Sequence, residues 1–156
     1  MKSKKMMIIT FLVVVGVVSL YFMYQINSDR GELTSFDITD NLNKVRMSIK
    51  ESTITAKGLT LVFTNDDERE YEYSAIYSIE VLKNKKWYKL PYVFDGSNSW
   101  TTEAYDLSTS KSSEWSTEWD GLYGILDKGH YRIIKPVKAA SNNDEVYYLT
   151  AEFDIK

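Results

Sequence analysis

From Val45 on, in several runs broken by an irregular Ser/Thr-rich part over 95–118, apolar and polar side chains alternate one by one, a period that only pleated strands with one dry face satisfy. Val45, Met47 and Ile49 alternate with Arg46, Ser48 and Lys50, and Leu59, Leu61 and Phe63 repeat the pattern after the Lys57-Gly58 turn. Tyr71, Tyr73, Ala75, Tyr77, Ile79 and Val81 fall on one face of what reads as a single long strand. Lys83-Asn84-Lys85 is a hairpin turn, and Pro91 stops the strand around Trp87 or confines it to an edge. A short strand is expected around Tyr105-Asp106-Leu107, and another from Trp115 to Leu126, interrupted by Gly121 and Gly124. The last two strands run from Tyr131 to Ala139 and from Val146 to Ile155. In the latter, Tyr147, Leu149, Ala151, Phe153 and Ile155 form the dry set. No window outside residues 6–24 has the i, i+3, i+4 spacing of a helix. The pattern predicts an all-β, antiparallel β-sandwich of about seven to nine strands.

The chain opens on Met-Lys-Ser-Lys-Lys, followed by 19 uncharged residues from Met6 to Tyr24. As a helix these span about 28 Å, close to the ~30 Å hydrocarbon layer of a bilayer. Eleven of them are Ile, Leu, Val or Phe, which favours insertion. A cleaved secretory signal is the competing expectation, but the run ends in Leu20-Tyr21-Phe22-Met23-Tyr24-Gln25 without an Ala-x-Ala-like site. Tyr21, Phe22 and Tyr24 suit the headgroup level of a retained anchor. Lys2, Lys4 and Lys5 precede the span, so the positive-inside rule places residues 1–5 in the cytoplasm and the remainder outside. The expected order is a basic cytoplasmic N-terminus (1–5), a transmembrane signal anchor (6–24), a polar stalk with at most a first edge strand (25–44), and an extracellular domain (45–156). Residues 31–156 carry 21 acidic and 15 basic side chains, a surface that anionic lipid repels.

Composition removes several classes of chemistry. There is no cysteine, which excludes disulfides, thiolate metal sites and a cysteine nucleophile. The single histidine, His130, excludes multi-histidine metal centres, and a net charge of −3 gives no support to a nucleic-acid partner. Gly-x-Ser-x-Gly, His-Glu-x-x-His and phosphate-binding glycine loops are absent. His130 reads as an exposed turn residue, and the Asp66–Glu70 acidic run as a solvated turn in which Arg69 spoils any calcium-loop spacing. No catalytic, cofactor-binding or metal-binding residue is assigned, and no cofactor is expected.

Leu126-Asp127-Lys128-Gly129-His130-Tyr131 has the Leu-x-x-Gly-x-Tyr spacing of a tyrosine corner. With Trp119-Asp120-Gly121-Leu122-Tyr123-Gly124 upstream, Gly58–Asn65 and Lys86–Pro91 earlier, and Tyr147 to Ile155 at the end, the chain resembles a bacterial immunoglobulin-like domain family over roughly residues 45–156. The resemblance implies an immunoglobulin-like fold on membrane-anchored or secreted Firmicute proteins, without catalytic residues. It gives Trp87, Trp119, Gly124, Gly129, Tyr131 and Phe153 structural roles.

Trp100 and Trp115 flank a Ser/Thr-rich loop whose pattern predicts no burial, so they are the candidate partner-binding residues. The expected function is a tethered, non-catalytic binding module contacting a protein or a cell-wall polymer. Two alternatives stand beside it. One is an accessory subunit acting through its transmembrane helix, with Gly16 and Ser19 as a close-approach patch. The other is a glycan hydrolase whose two carboxylates meet only in space.

Overall fold

The computed structural model describes residues 15–21, 31–36, 42–93 and 103–156. It divides into two units, Met1–Gly31 and Glu32–Lys156. In the first, residues 15–21 form a helix (α1) with exposed apolar side chains. Among the described residues no helix is long and apolar enough to cross a membrane, and most of the expected 6–24 span lies outside them.

The second unit is two antiparallel sheets. Strands β2 (Val45–Ile49), β3 (Gly58–Asn65) and β8 (Lys111–Glu118) form the smaller, in the order β2-β3-β8. The larger contains β1 (Glu32–Leu33), β4 (Tyr71–Ser74), β5 (Ser78–Lys83), β6 (Lys86–Lys89), β7 (Ala104–Leu107), β9 (Gly129–Ala139) and β10 (Asn142–Ile155). Its path is β1-β6-β5-β9-β4-β7, with β10 along the opposite edge of β9.

The predicted alternation sorts as expected where it faces the other sheet. Val45, Met47, Leu59, Leu61, Phe63, Tyr71, Tyr73, Tyr77, Ile79, Val81, Leu149 and Phe153 are all buried. The fold is thus an all-β sandwich, with three corrections. The single strand expected over 71–81 is two strands, β4 and β5, sharing one edge of β9. Tyr73 pairs with Val137 and Ser78 with Ile134, so five residue steps oppose three. The excess of two keeps the side-chain parity, which is why the apolar set reads unbroken in the sequence.

The expected strand from Trp115 to Leu126 begins instead at Lys111, ends at Glu118 and passes into a single helical turn, α2 (Asp120–Tyr123). Gly124 closes that turn at φ 76°, a conformation that a side chain resists. The expected stalk also contributes to the domain: Glu32–Leu33 pairs with β6 and Leu42 is buried in the core, so the folded unit starts well before Val45. These differences give ten described strands rather than seven to nine.

The tyrosine corner is formed. The Tyr131 hydroxyl donates to the Asp127 carbonyl at 2.9 Å. A Cβ on Gly129 would come within 3.1 Å of the Tyr131 ring, so any larger residue there would require the ring to shift by a few tenths of an ångström. Tyr131 stacks on Phe153 at 5.6 Å, and Phe153 lies 5.6 Å from Trp119, which is fully buried and donates its indole N–H to the Ala56 carbonyl. Tyr131→Phe removes one partly buried hydrogen bond and little volume. We expect a loss of about 1 kcal/mol in urea denaturation with an unchanged fold.

Candidate functional site

Three places in the domain carry more chemistry than packing requires. The first is the outer face of the larger sheet, formed by the side chains of β5, β6, β9 and β10 that point away from the sandwich interior. Cross-strand register places Glu32, Lys89, Glu80, Arg132 and Glu152 side by side on β1, β6, β5, β9 and β10. The charges alternate in sign across five strands, so each of these side chains has an opposite charge as its cross-strand neighbour, an arrangement that a slip of β5, β6 or β9 would lose. Lys89 reaches Glu32 at 3.2 Å, and Arg132 pairs with Glu80 through two nitrogens at 2.6 and 2.8 Å.

The Glu80 side chain is fully buried and that of Arg132 only 10% exposed. The guanidinium also lies over the Trp87 ring, 4.6 Å from its centroid. Removing one partner from such a pair leaves an uncompensated buried charge, typically costing about 3–5 kcal/mol. The sequence pattern missed this pair because alternation assigns the outer face to solvent. The adjacent apolar residues Ile133-Ile134 mark β9 as a central strand covered on both sides.

His130 stands at the start of β9, directly opposite Asp154. Its Nδ1 is 2.8 Å from Asp154 and its Nε2 2.9 Å from Glu152. The hydrogen bond to Asp154, then that to Glu152, holds the imidazole pKa above its usual value. The side chain points outward, as expected, but it is clamped between two carboxylates rather than free in a turn. Below this clamp, Glu51, Ile54, Thr55, Ala56 and the end of β10 line a crevice of about 470 Å³. Among the described residues no group of His, Asp and Glu has the geometry to hold a metal ion.

The second place is Lys135. It belongs to the inward set of β9 and is fully buried, with no carboxylate bonded to it among the described residues. Its ammonium donates to the Ser74 carbonyl, in the stretch where β4 gives way to β5. It lies 3.7 Å from the centroid of the Trp115 ring and 5.3 Å from that of Tyr73. Burial lowers its pKa to about 7. Trp115, expected at a strand's start beside the loop and without burial, sits instead in the middle of β8, partly buried, with its ring over an internal cation.

The third place is one end of the sandwich. Ile125, Val93 and Tyr92 are 66%, 61% and 46% exposed. Val93 donates its N–H to the Leu122 carbonyl at 3.0 Å and packs against Gly124, while Tyr92 faces Tyr123 at 5.2 Å. Tyr123 is buried and donates to the Tyr77 carbonyl at 3.4 Å.

Of the other residues singled out from the sequence, Trp119, Tyr131 and Phe153 are buried and packed together. Trp87 is half-buried on the outer face, and Trp100 lies outside the described residues. The Asp66–Glu70 run is a turn held by its own bonds: Asp66 pairs with Arg46, and Asp67 accepts the Tyr71 hydroxyl at 2.7 Å.

The family model for a bacterial Ig-like domain matches residues 41–154. No curated protein matches the chain. Among solved structures it is similar to the alkylpurine DNA glycosylase AlkC of Pseudomonas fluorescens bound to DNA containing an abasic site analogue. The two share 11% identity over 69% of this chain, with a TM-score of 0.26. The chain spans only 30% of that enzyme's length, and a likeness of this degree carries no argument.

Proposed function

Because the chain belongs to the bacterial Ig-like domain family, we propose that it is a non-catalytic binding module, tethered outside the cytoplasm by residues 6–24, that contacts a protein or cell-wall polymer. The observation that supports this most is the exposed group at the sandwich end, Tyr92, Val93 and Ile125, held by bonded backbone rather than by a ligand-sized cleft. Large apolar side chains gathered in one exposed group are characteristic of contact surfaces. The chain continues from Val93 into the segment that contains Trp100, the aromatic that the sequence marks for partner contact.

The test is photo-crosslinking in living cells. A crosslinking side chain at position 93 or 125 is expected to trap a defined partner band, whereas one at Lys111, on a strand end, is not. The band is expected to vanish in Trp100→Ala with the fold intact. Absence of any band from positions 93 and 125 in correctly folded protein overturns the proposal. Exposure of the domain to external protease on intact cells checks the tethered orientation.

A further inference from the structure

Residues 32–36 lie as a strap across the outer face of the larger sheet, from β6 to β10. Glu32 and Leu33 pair with Lys89 and Tyr88 on the β6 edge, and the Thr34 N–H donates to the Trp87 carbonyl at 3.1 Å. The Thr34 hydroxyl then donates to Glu80 at 2.6 Å and accepts from Arg132 at 3.3 Å. Finally, Phe36 meets the Tyr148 ring of β10 at 4.9 Å.

The strap thus supplies the third member of a buried ion pair on a face that would otherwise look to water. Lifting it opens the carboxylate and its arginine to water and takes one hydrogen-bond partner from each. Any replacement must offer an extended backbone to the β6 edge and an acid opposite Lys89. It must also place a hydroxyl two residues on, at Glu80 and Arg132, and an aromatic two further, at Tyr148. A second copy of Glu32-Leu33-Thr34-Ser35-Phe36 meets all four requirements.

The hold is short: a two-residue strand with one further backbone bond, one exposed ion pair, one hydroxyl and one ring contact. Such segments open at far lower free energy than a core strand. Six peptide steps separate Phe36 from the buried Leu42, a reach of at most about 20 Å. One copy can therefore offer its strap to a neighbour while keeping its own core closed.

We infer that the strapped face is a self-recognition surface, and that two copies of this chain associate by exchanging residues 32–36. This surface is separate from the sandwich end proposed above for other partners, and exchange of identical elements is a low-cost route to a symmetric dimer.

The absence of native cysteine makes the test direct. One full-length preparation carries Glu32→Cys and another Lys89→Cys, two positions that face each other in register at a separation within disulfide reach. Equal amounts are mixed and oxidised. Exchange is expected to enrich the 32–89 dimer at least about tenfold over the 32–32 and 89–89 dimers, because pairing in register raises the effective concentration of the two thiols. Adding Thr34→Ala and Phe36→Asp to the Glu32→Cys chain is expected to return the products to the random distribution. A random distribution from the first mixture overturns the inference, and so does an excess that survives loss of Thr34 and Phe36. Both arms use purified chain alone, so their outcome is independent of partner capture at positions 93 and 125.

Discussion

Phe153→Asp abolishes cooperative unfolding of the domain. Phe153 is 3% exposed and lies between the rings of Tyr131 and Trp119 in the core of this cysteine-free chain. Truncating a buried phenylalanine alone costs about 3–5 kcal/mol, and an unpaired carboxylate in its place adds the cost of desolvating a charge. Together these approach or exceed the ~5–15 kcal/mol that holds a typical domain together. We expect the near-UV circular dichroism to collapse and the thermal transition to disappear. Phe153→Leu keeps an apolar side chain and is expected to melt cooperatively at a lower temperature. A Phe153→Asp protein with a sharp transition and native near-UV signal would refute the assignment of this strand face to the core.

The second large effect is a pH dependence set by Lys135. Its pKa falls from 10.5 in the unfolded chain to about 7 in the fold, because burial disfavours the ammonium. Between these values the unfolded state binds the additional proton, so stability rises with pH from about 7 towards 10. A tenfold difference in proton affinity between the two states corresponds to about 1.4 kcal/mol. We expect a gain of about 3 kcal/mol across the window, below the full ceiling because the Trp115 ring favours the cation.

Two other groups of residues work against this rise. His130, whose pKa is raised, contributes stability that is complete below pH 6.5 and is lost as pH climbs through its folded value. Its exposure to solvent keeps that contribution small. Burial raises the pKa of Tyr71 to about 12 and also raises those of Tyr73, Tyr77 and Tyr131. The unfolded chain therefore ionises first above about pH 10, and stability falls again. The expected profile peaks between about pH 9 and 10. Urea midpoints measured from pH 6 to 10 check it, with Lys135→Met as the comparison. That variant loses the bond to Ser74 but is expected to be nearly flat from pH 6 to 9. A flat wild-type profile, or a rising one in Lys135→Met, would show that this amine is not the source.

How far the fold was legible differs from element to element. Strands β2, β3 and β10 were legible because apolar residues recur at every second position on the face they turn to the core, and β9 because its apolar stretch follows directly on the Asp127-Lys128-Gly129 turn. The tyrosine corner was legible because glycine and tyrosine at that spacing meet within a few residues. The split between β4 and β5 left no trace, since an excess of two residues preserves parity. Trp115 was expected at the start of a strand beside the Ser/Thr-rich loop, without burial, because Ser112, Ser113, Glu114, Ser116 and Thr117 are all polar and β8 is an edge strand. The strap was hidden in a polar stretch without period, where two paired residues and one hydroxyl are too few to form a pattern.

The local alternation by itself determined the all-β class, the identity of the inward-facing residues and the corner that starts β9, because side-chain direction in a strand follows from the backbone alone. Only the assembled layers decided that Glu80 and Arg132 would be buried on the far side of a sheet, that Lys135 would end beneath Trp115, and that Thr34 would complete an ion pair. Those outcomes depend on which strands become neighbours. Contacts between residues 46 to 98 positions apart are a property of the packed chain, and no window of sequence contains them.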